Sequence, residues 1–157
     1  MARSKTPTFI VELALRISAA DARELGIRLE MERQVYNACL GESFRCLDLM
    51  RESKAYQRAR KLPHGEERTA AFKALNEKFG FTSQSIEKFG TTCQKNCAAI
   101  QEHTSSQDVQ ATALRAFKAV QKYAFGKSGK PHFKGFRQFN SVEVKQDVCI
   151  TFRAEAT

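Results

Sequence analysis

The sequence predicts an α+β fold: a mostly helical block, residues 19–125, inserted between an N-terminal strand at 8–18 and one or more C-terminal strands within 140–153 of a small β-barrel. Three observations predict it. Apolar residues alternate near both ends of the chain, they recur three, four or seven apart between those ends, and Gly and Pro gather at 126–131, where the helical pattern gives out. The 157 residues suffice for one core, so the chain reads as a single domain over 1–157.

In segment 8–18, Phe9, Val11, Leu13, Leu15 and Ile17 fall on one side, with Glu12 and Arg16 on the other, the period of a strand with one buried face. Ser18 then precedes Asp21 in a Ser-x-x-Asp pattern. The hydroxyl can accept from a free helix amide and the carboxylate suits the positive helix end, so a helix is expected to begin here. From 19 to 104 the spacing is helical, as in Leu25, Leu29, Tyr36 and Leu40 or Phe72, Leu75 and Phe79. Interruptions are expected at Gly41, at Leu62-Pro63-His64-Gly65, at Phe79-Gly80-Phe81-Thr82-Ser83 and at Phe89-Gly90, which leaves about four helices.

A further helix is expected from Ser105-Ser106 to Ala124. Val109, Ala113, Phe117, Val120 and Ala124 make its apolar stripe, and Arg115, Lys118 and Lys122 repeat on the far side. The glycines and proline of 126–131 open a basic-aromatic loop, 126–139. Alternation then returns through Val142, Val144, Val148, Ile150 and Phe152. One strand cannot form a sheet alone, so the N-terminal strand is expected to pair with a strand more than 120 residues later, which makes the helical block an insertion. Two such strands would leave a barrel incomplete, with open edges.

Lys and Arg number 26 against 17 Asp and Glu, a formal +9, and the isoelectric point is near 9.5. That balance calls for a polyanionic partner, most often nucleic acid, although charge alone leaves anionic lipid open. No apolar run approaches the roughly 20 residues of a membrane span, and the opening residues do not read as a signal peptide. Five cysteines read as reduced thiols in a cytoplasmic protein.

The strongest local signal is Val109 to Val142, a window without one Asp or Glu. Its cations are Arg115, Lys118, Lys122, Lys127, Lys130, Lys134 and Arg137, and among them stand Phe117, Tyr123, Phe125, Phe133, Phe136 and Phe139. Cations supply salt-sensitive affinity for phosphates, and an aromatic face can stack on an unpaired base. The candidate nucleic-acid site is therefore Arg115, Lys118, Lys122, Lys127, Lys130, Phe133, Lys134 and Arg137. The plainer alternative makes Phe117 and Val120 helix core, the loop aromatics a plug and the lysines a solvated face. The missing acids weigh against it, because exposed lysines on core helices usually stand among acids. Binding to a membrane surface fits less well, since the stripe is short and rich in alanine.

No catalytic constellation stands out, and the chain is not expected to be an enzyme. Cys93 and Cys97 are spaced Cys-x3-Cys, but only His103 is near and no fourth ligand is in sight, so structural thiols are favoured and no metal is expected. Cys39, Cys46 and Cys149 read as small apolar residues. Gly126-Lys127-Ser128-Gly129-Lys130 has neither the strand before it nor the helix after it that a phosphate loop needs. No cofactor and no small-molecule substrate are expected. Asp21, Glu24, Glu30 and Glu32 read as an exposed face of the first helix, paired with Arg23, Arg28 and Arg33.

The segments Glu32-Arg33-Gln34-Val35-Tyr36-Asn37-Ala38-Cys39-Leu40, Ala116-Phe117-Lys118-Ala119-Val120 and Gly129-Lys130-Pro131-His132-Phe133-Lys134-Gly135 follow one another in this order. Together they resemble the N-terminal part of OrfB/TnpB-type transposon proteins, which are RNA-guided nucleases related to type V CRISPR effectors. The resemblance implies a wedge β-barrel interrupted by a helical recognition insertion, and binding of a guide RNA and of the RNA–DNA hybrid. It matches Lys130, Phe133 and Lys134 to the basic-aromatic motif. Tyr36 and Asn37 match the first helix, where packing and RNA contact are both open. The RuvC nuclease domain and four-cysteine zinc ribbon of that family have no counterpart in these residues, and the tail from Asp147 to Thr157 matches nothing in it. The expectation is a truncated, nuclease-free nucleic-acid-binding module, with a small accessory protein-interaction module as the alternative.

Overall fold

The computed structural model describes residues 14 and 16–143, which form six helices. The first, α1 (Ala19–Glu52), runs 34 residues, about 50 Å at 1.5 Å per residue. It starts where the Ser-x-x-Asp pattern places it: Ser18 Oγ accepts from the Asp21 amide at 3.2 Å, and Asp21 Oδ2 accepts from the Ser18 amide at 3.1 Å. Gly41 does not interrupt it. A mid-helix glycine costs only about 1 kcal/mol relative to alanine, and the buried Val35, Cys39, Leu40, Cys46 and Leu47 on either side hold the helix together across it.

The break comes at Ser53, whose hydroxyl accepts from the Tyr56 amide at 3.1 Å and caps α2 (Lys54–Lys61). The Pro63 turn leads to α3 (Glu66–Lys78), and Tyr56 meets Phe72 edge to face, centroids 5.6 Å apart. Gly80, at φ +69, turns the chain into α4 (Ser83–Asn96), capped by Thr82; α5 (Ala98–His103) and α6 (Ser106–Ala124) follow. Ser105 and Asp108 repeat the reciprocal cap at the start of α6.

Gly90 was expected to end a helix and instead lies inside α4. A Cβ there would stand 3.2 Å from both Ala113 Cβ and Cys39 Sγ. The missing side chain lets α1, α4 and α6 approach closely, and the core forms between them from Val35, Leu40, Ile86, Val109, Ala113 and Val120. Cys39 and Cys46 are buried as expected, and Cys93 and Cys97 are half-buried; Cys149 lies outside the described residues.

The α+β expectation is overturned, because no strand or sheet occurs among the described residues and the architecture is helical. Residues 16–18 lead directly into the cap of α1, and Ile17, assigned to a buried strand face, is 49% exposed. At the other end, the Ser141 carbonyl accepts from Arg115 Nη1 at 2.9 Å, a backbone acceptor that a sheet ladder would otherwise use. Most of segments 8–18 and 140–153 lies outside the described residues. So do Phe9, Val11, Leu13, Leu15, Val144, Val148, Ile150 and Phe152.

The acidic face on α1 is corrected in one place. Glu24 pairs with Arg28 at 3.0 Å and Glu30 with Arg33 at 2.6 Å, as the short helical spacings predict. Glu32 is 2% exposed against α6, where its carboxylate oxygens make no hydrogen bond of normal geometry. Burial, with Asp108 nearby, pushes its carboxyl up to about 7, and the Thr112 hydroxyl offsets only part of that.

Candidate nucleic-acid interface

The apolar stripe of α6 faces inward as expected. Val109, Ala113, Phe117 and Val120 are buried, which leaves Lys118 and Lys122 exposed on the outer side. After Ala124 the helix stops at Phe125, and Gly126, at φ +68, releases the chain. Residues 126–143 then form a strap that runs back along α1 from its middle toward its N-terminal half.

A few contacts place the strap. The ammonium of Lys130 lies 5.1 Å from the Phe44 ring centroid, and the Phe133 ring covers Gly41, at 3.7 Å from where a Cβ would stand. Asn37 holds Lys134 by both backbone groups: Oδ1 accepts from the Lys134 amide at 2.8 Å, and Nδ2 donates to its carbonyl at 2.9 Å. Arg33 Nη1 donates to the same carbonyl at 2.8 Å while its ion pair with Glu30 fixes the guanidinium. That pair holds the Glu30 carboxyl below the usual carboxylate range. A tight turn follows, in which the Gly135 amide donates to Gln138 Oε1 at 2.9 Å and Arg137 takes the left-handed region at φ 60. Phe139 then buries itself against Tyr36 at 5.5 Å, and the Arg115 guanidinium lies 5.0 Å over its ring.

The eight candidate residues are therefore not equivalent. Lys118, Lys122, Lys127, Lys130 and Arg137 are exposed, and Phe133 is 59% exposed. Lys134 is half-buried, with its backbone as the anchor. Arg115 also serves the structure, since it donates to Ser141 and covers Phe139. The plainer reading holds for Phe117 as helix core and for Phe139 as a plug, whereas Phe125 and Phe136 stand 65% and 68% exposed beside the cations. On α1, the carboxylates of Glu30 and Glu42 are taken up by arginines, Arg33 and Arg45.

Sequence reasoning missed Phe44, Arg33 and Gln138 as supports of this surface. Asn37 was visible only as one letter of a motif. An asparagine inside a helix, flanked by buried positions, signals a side chain with a specific hydrogen-bonding task, because it is otherwise a poor helix former. Among the described residues no group of three or more His, Cys, Asp or Glu side chains is placed to hold a metal ion, and no helix is long and apolar enough to cross a membrane. The chain matches no family model, and searches of curated proteins and of solved structures find no match.

Proposed function

We propose that this chain is a nucleic-acid-binding module whose contact surface is the outer side of α6 together with the strap. One observation carries the reading: the acid-free window folds into an exposed basic-aromatic surface whose backbone is pinned by Asn37 rather than left loose. Lys118, Lys122, Lys127, Lys130, Lys134 and Arg137 serve phosphates, and Phe133 and Phe136 offer faces to unpaired bases. RNA, or an RNA–DNA hybrid, is the partner that the likeness to OrfB/TnpB-type proteins suggests. Two of the segments that carry that likeness, at Tyr36-Asn37 and at Phe133-Lys134, support each other physically, since the first holds the second in place. No nuclease role is assigned to these residues.

The test is fluorescence anisotropy with single-stranded RNA across a salt series. Binding is expected to weaken with salt, with a log–log slope of about −0.7 per phosphate contacted. Lys118→Gln with Lys122→Gln should reduce the slope by about 1.4 while leaving the fold intact. An unchanged slope overturns the assignment. A second reading, a protein-docking module, draws on the exposed Ile17, Leu25 and Ile27 and on a groove of about 450 Å³ between α1 and Phe136. A partner that survives nuclease treatment and is lost on Ile27→Asp would favour it.

A further inference from the structure

A second basic-aromatic feature has its cations outside the acid-free window and was not singled out by sequence. Between α2, α3 and the C-terminal ends of α1 and α6 is a cleft of about 690 Å³, within the roughly 300–1,000 Å³ of small-ligand sites. Tyr56, Phe72 and Phe81 give it an aromatic lining. Arg51, Arg60, Arg68 and Lys73 line it as well, and no carboxylate does. Arg60 and Lys73 are exposed and form no ion pair with the described residues. Arg68 is held in place, with Nη1 donating to the Leu62 carbonyl at 3.2 Å and its guanidinium 5.7 Å over Phe72.

Four cations gathered without an acid repel one another, and a bound phosphate relieves that repulsion. An aromatic lining adds an affinity for flat rings that phosphate alone does not use. The cleft is also joined to the strap by a run of ring contacts. Lys130 lies over Phe44, Phe44 meets Tyr123 at 6.1 Å, and Arg51 of the cleft lies 5.5 Å over Tyr123. Phe125, at the cleft's edge, is the residue from which the strap departs.

We propose that this cleft receives one unpaired nucleotide of the strand bound on the strap, with its phosphate among Arg51, Arg60 and Lys73 and its base against Tyr56 and Phe72. The proposal rests on the nucleic-acid reading above and adds a preference it does not contain. A duplex keeps its bases stacked inside and cannot fill the cleft without opening, whereas a single strand can.

The test compares a fluorescein-labelled 12-nucleotide oligouridylate with a 12-base-pair RNA duplex on the full chain. Phe72→Leu keeps the charge and apolar character of the site, gives up a little volume and removes the π face. It is expected to weaken oligouridylate binding about fivefold or more, with duplex affinity unchanged within about twofold. Arg60→Gln with Lys73→Gln, on exposed side chains, gives an independent readout and should also cost the single strand more than the duplex. If both cleft variants bind like wild type while Lys118→Gln with Lys122→Gln still weakens binding, the cleft proposal falls and the strap assignment stands. If wild type binds neither nucleic acid, both fall. Saturable binding of free uridine monophosphate without oligouridylate binding overturns the strand-borne ligand.

Discussion

Glu32→Gln should stabilise this protein, by an amount that grows as pH rises from about 4.5 to about 7 and is then constant. The carboxyl is 2% exposed, makes no hydrogen bond of normal geometry and is pushed up to about 7, against 4.5 when free. The folded pKa is raised, so between these two values the unfolded chain has lost a proton that the folded chain keeps. Stability therefore falls as pH rises through this window, and the full penalty applies above about 7. Two and a half pH units at 1.36 kcal/mol each amount to about 3 kcal/mol. Glutamine mimics the neutral acid in shape and charge and does not ionise. Urea unfolding of both proteins at pH 5, 6, 7 and 8 should show a difference below about 1 kcal/mol at pH 5 that widens to about 3 kcal/mol at pH 8 in favour of Glu32→Gln. Other titrating groups cancel in the difference. A difference independent of pH, or a variant less stable throughout, would refute the assignment of a buried, unpartnered carboxyl.

Asn37→Ala removes two hydrogen bonds to the Lys134 backbone and leaves the Lys134 amide without a partner, although Arg33 still serves the carbonyl. At about 1 kcal/mol each, the strap loses about 2 kcal/mol. Native-state hydrogen exchange at Lys134 should accelerate by about thirtyfold, and unchanged protection there would mean that the strap is held by other contacts. Gly90→Val places branched methyls against Ala113, Cys39 and Val109 at the crossing of α1, α4 and α6, and overpacking should cost about 2–3 kcal/mol in urea unfolding. A wild-type midpoint would show that the three helices separate more easily than their contacts indicate.

Rigidity is what the strap adds to its charge. Lysines on a loose loop neutralise phosphates but must be ordered on binding, at a cost of roughly 0.5–1.5 kcal/mol for each immobilised side chain. Here Asn37, Phe139 and the turn at Gly135 to Gln138 order the backbone beforehand, so in the proposed complex the cations and exposed rings would meet a strand already spaced. The ammonium of Lys130 over Phe44 and the guanidinium of Arg137 over Phe136 keep each cation beside a ring.

Local signals were legible in the sequence because their physics is local. The cap at Ser18, the start of α6 beside Ser105-Ser106, its inward stripe and the Pro63 turn each depend on residues a few positions apart, and each appears where spacing placed it. Glycine was legible only as a residue type: Gly41 and Gly90 were read as helix ends, but tertiary packing keeps the helix through the first and uses the second as the close approach of three helices. Alternation at the chain ends suggested strands, yet alternation records only which side chains share a side. Whether a backbone pairs is decided by a partner ladder, and at the described ends the chain meets a helix cap and an arginine instead. The same limit hid the burial of Glu32, the clasp of Asn37 on Lys134 and the cleft that gathers Arg51, Arg60, Arg68 and Lys73. Each joins residues distant in sequence or carried on different helices, and only the packing of those helices brings them together.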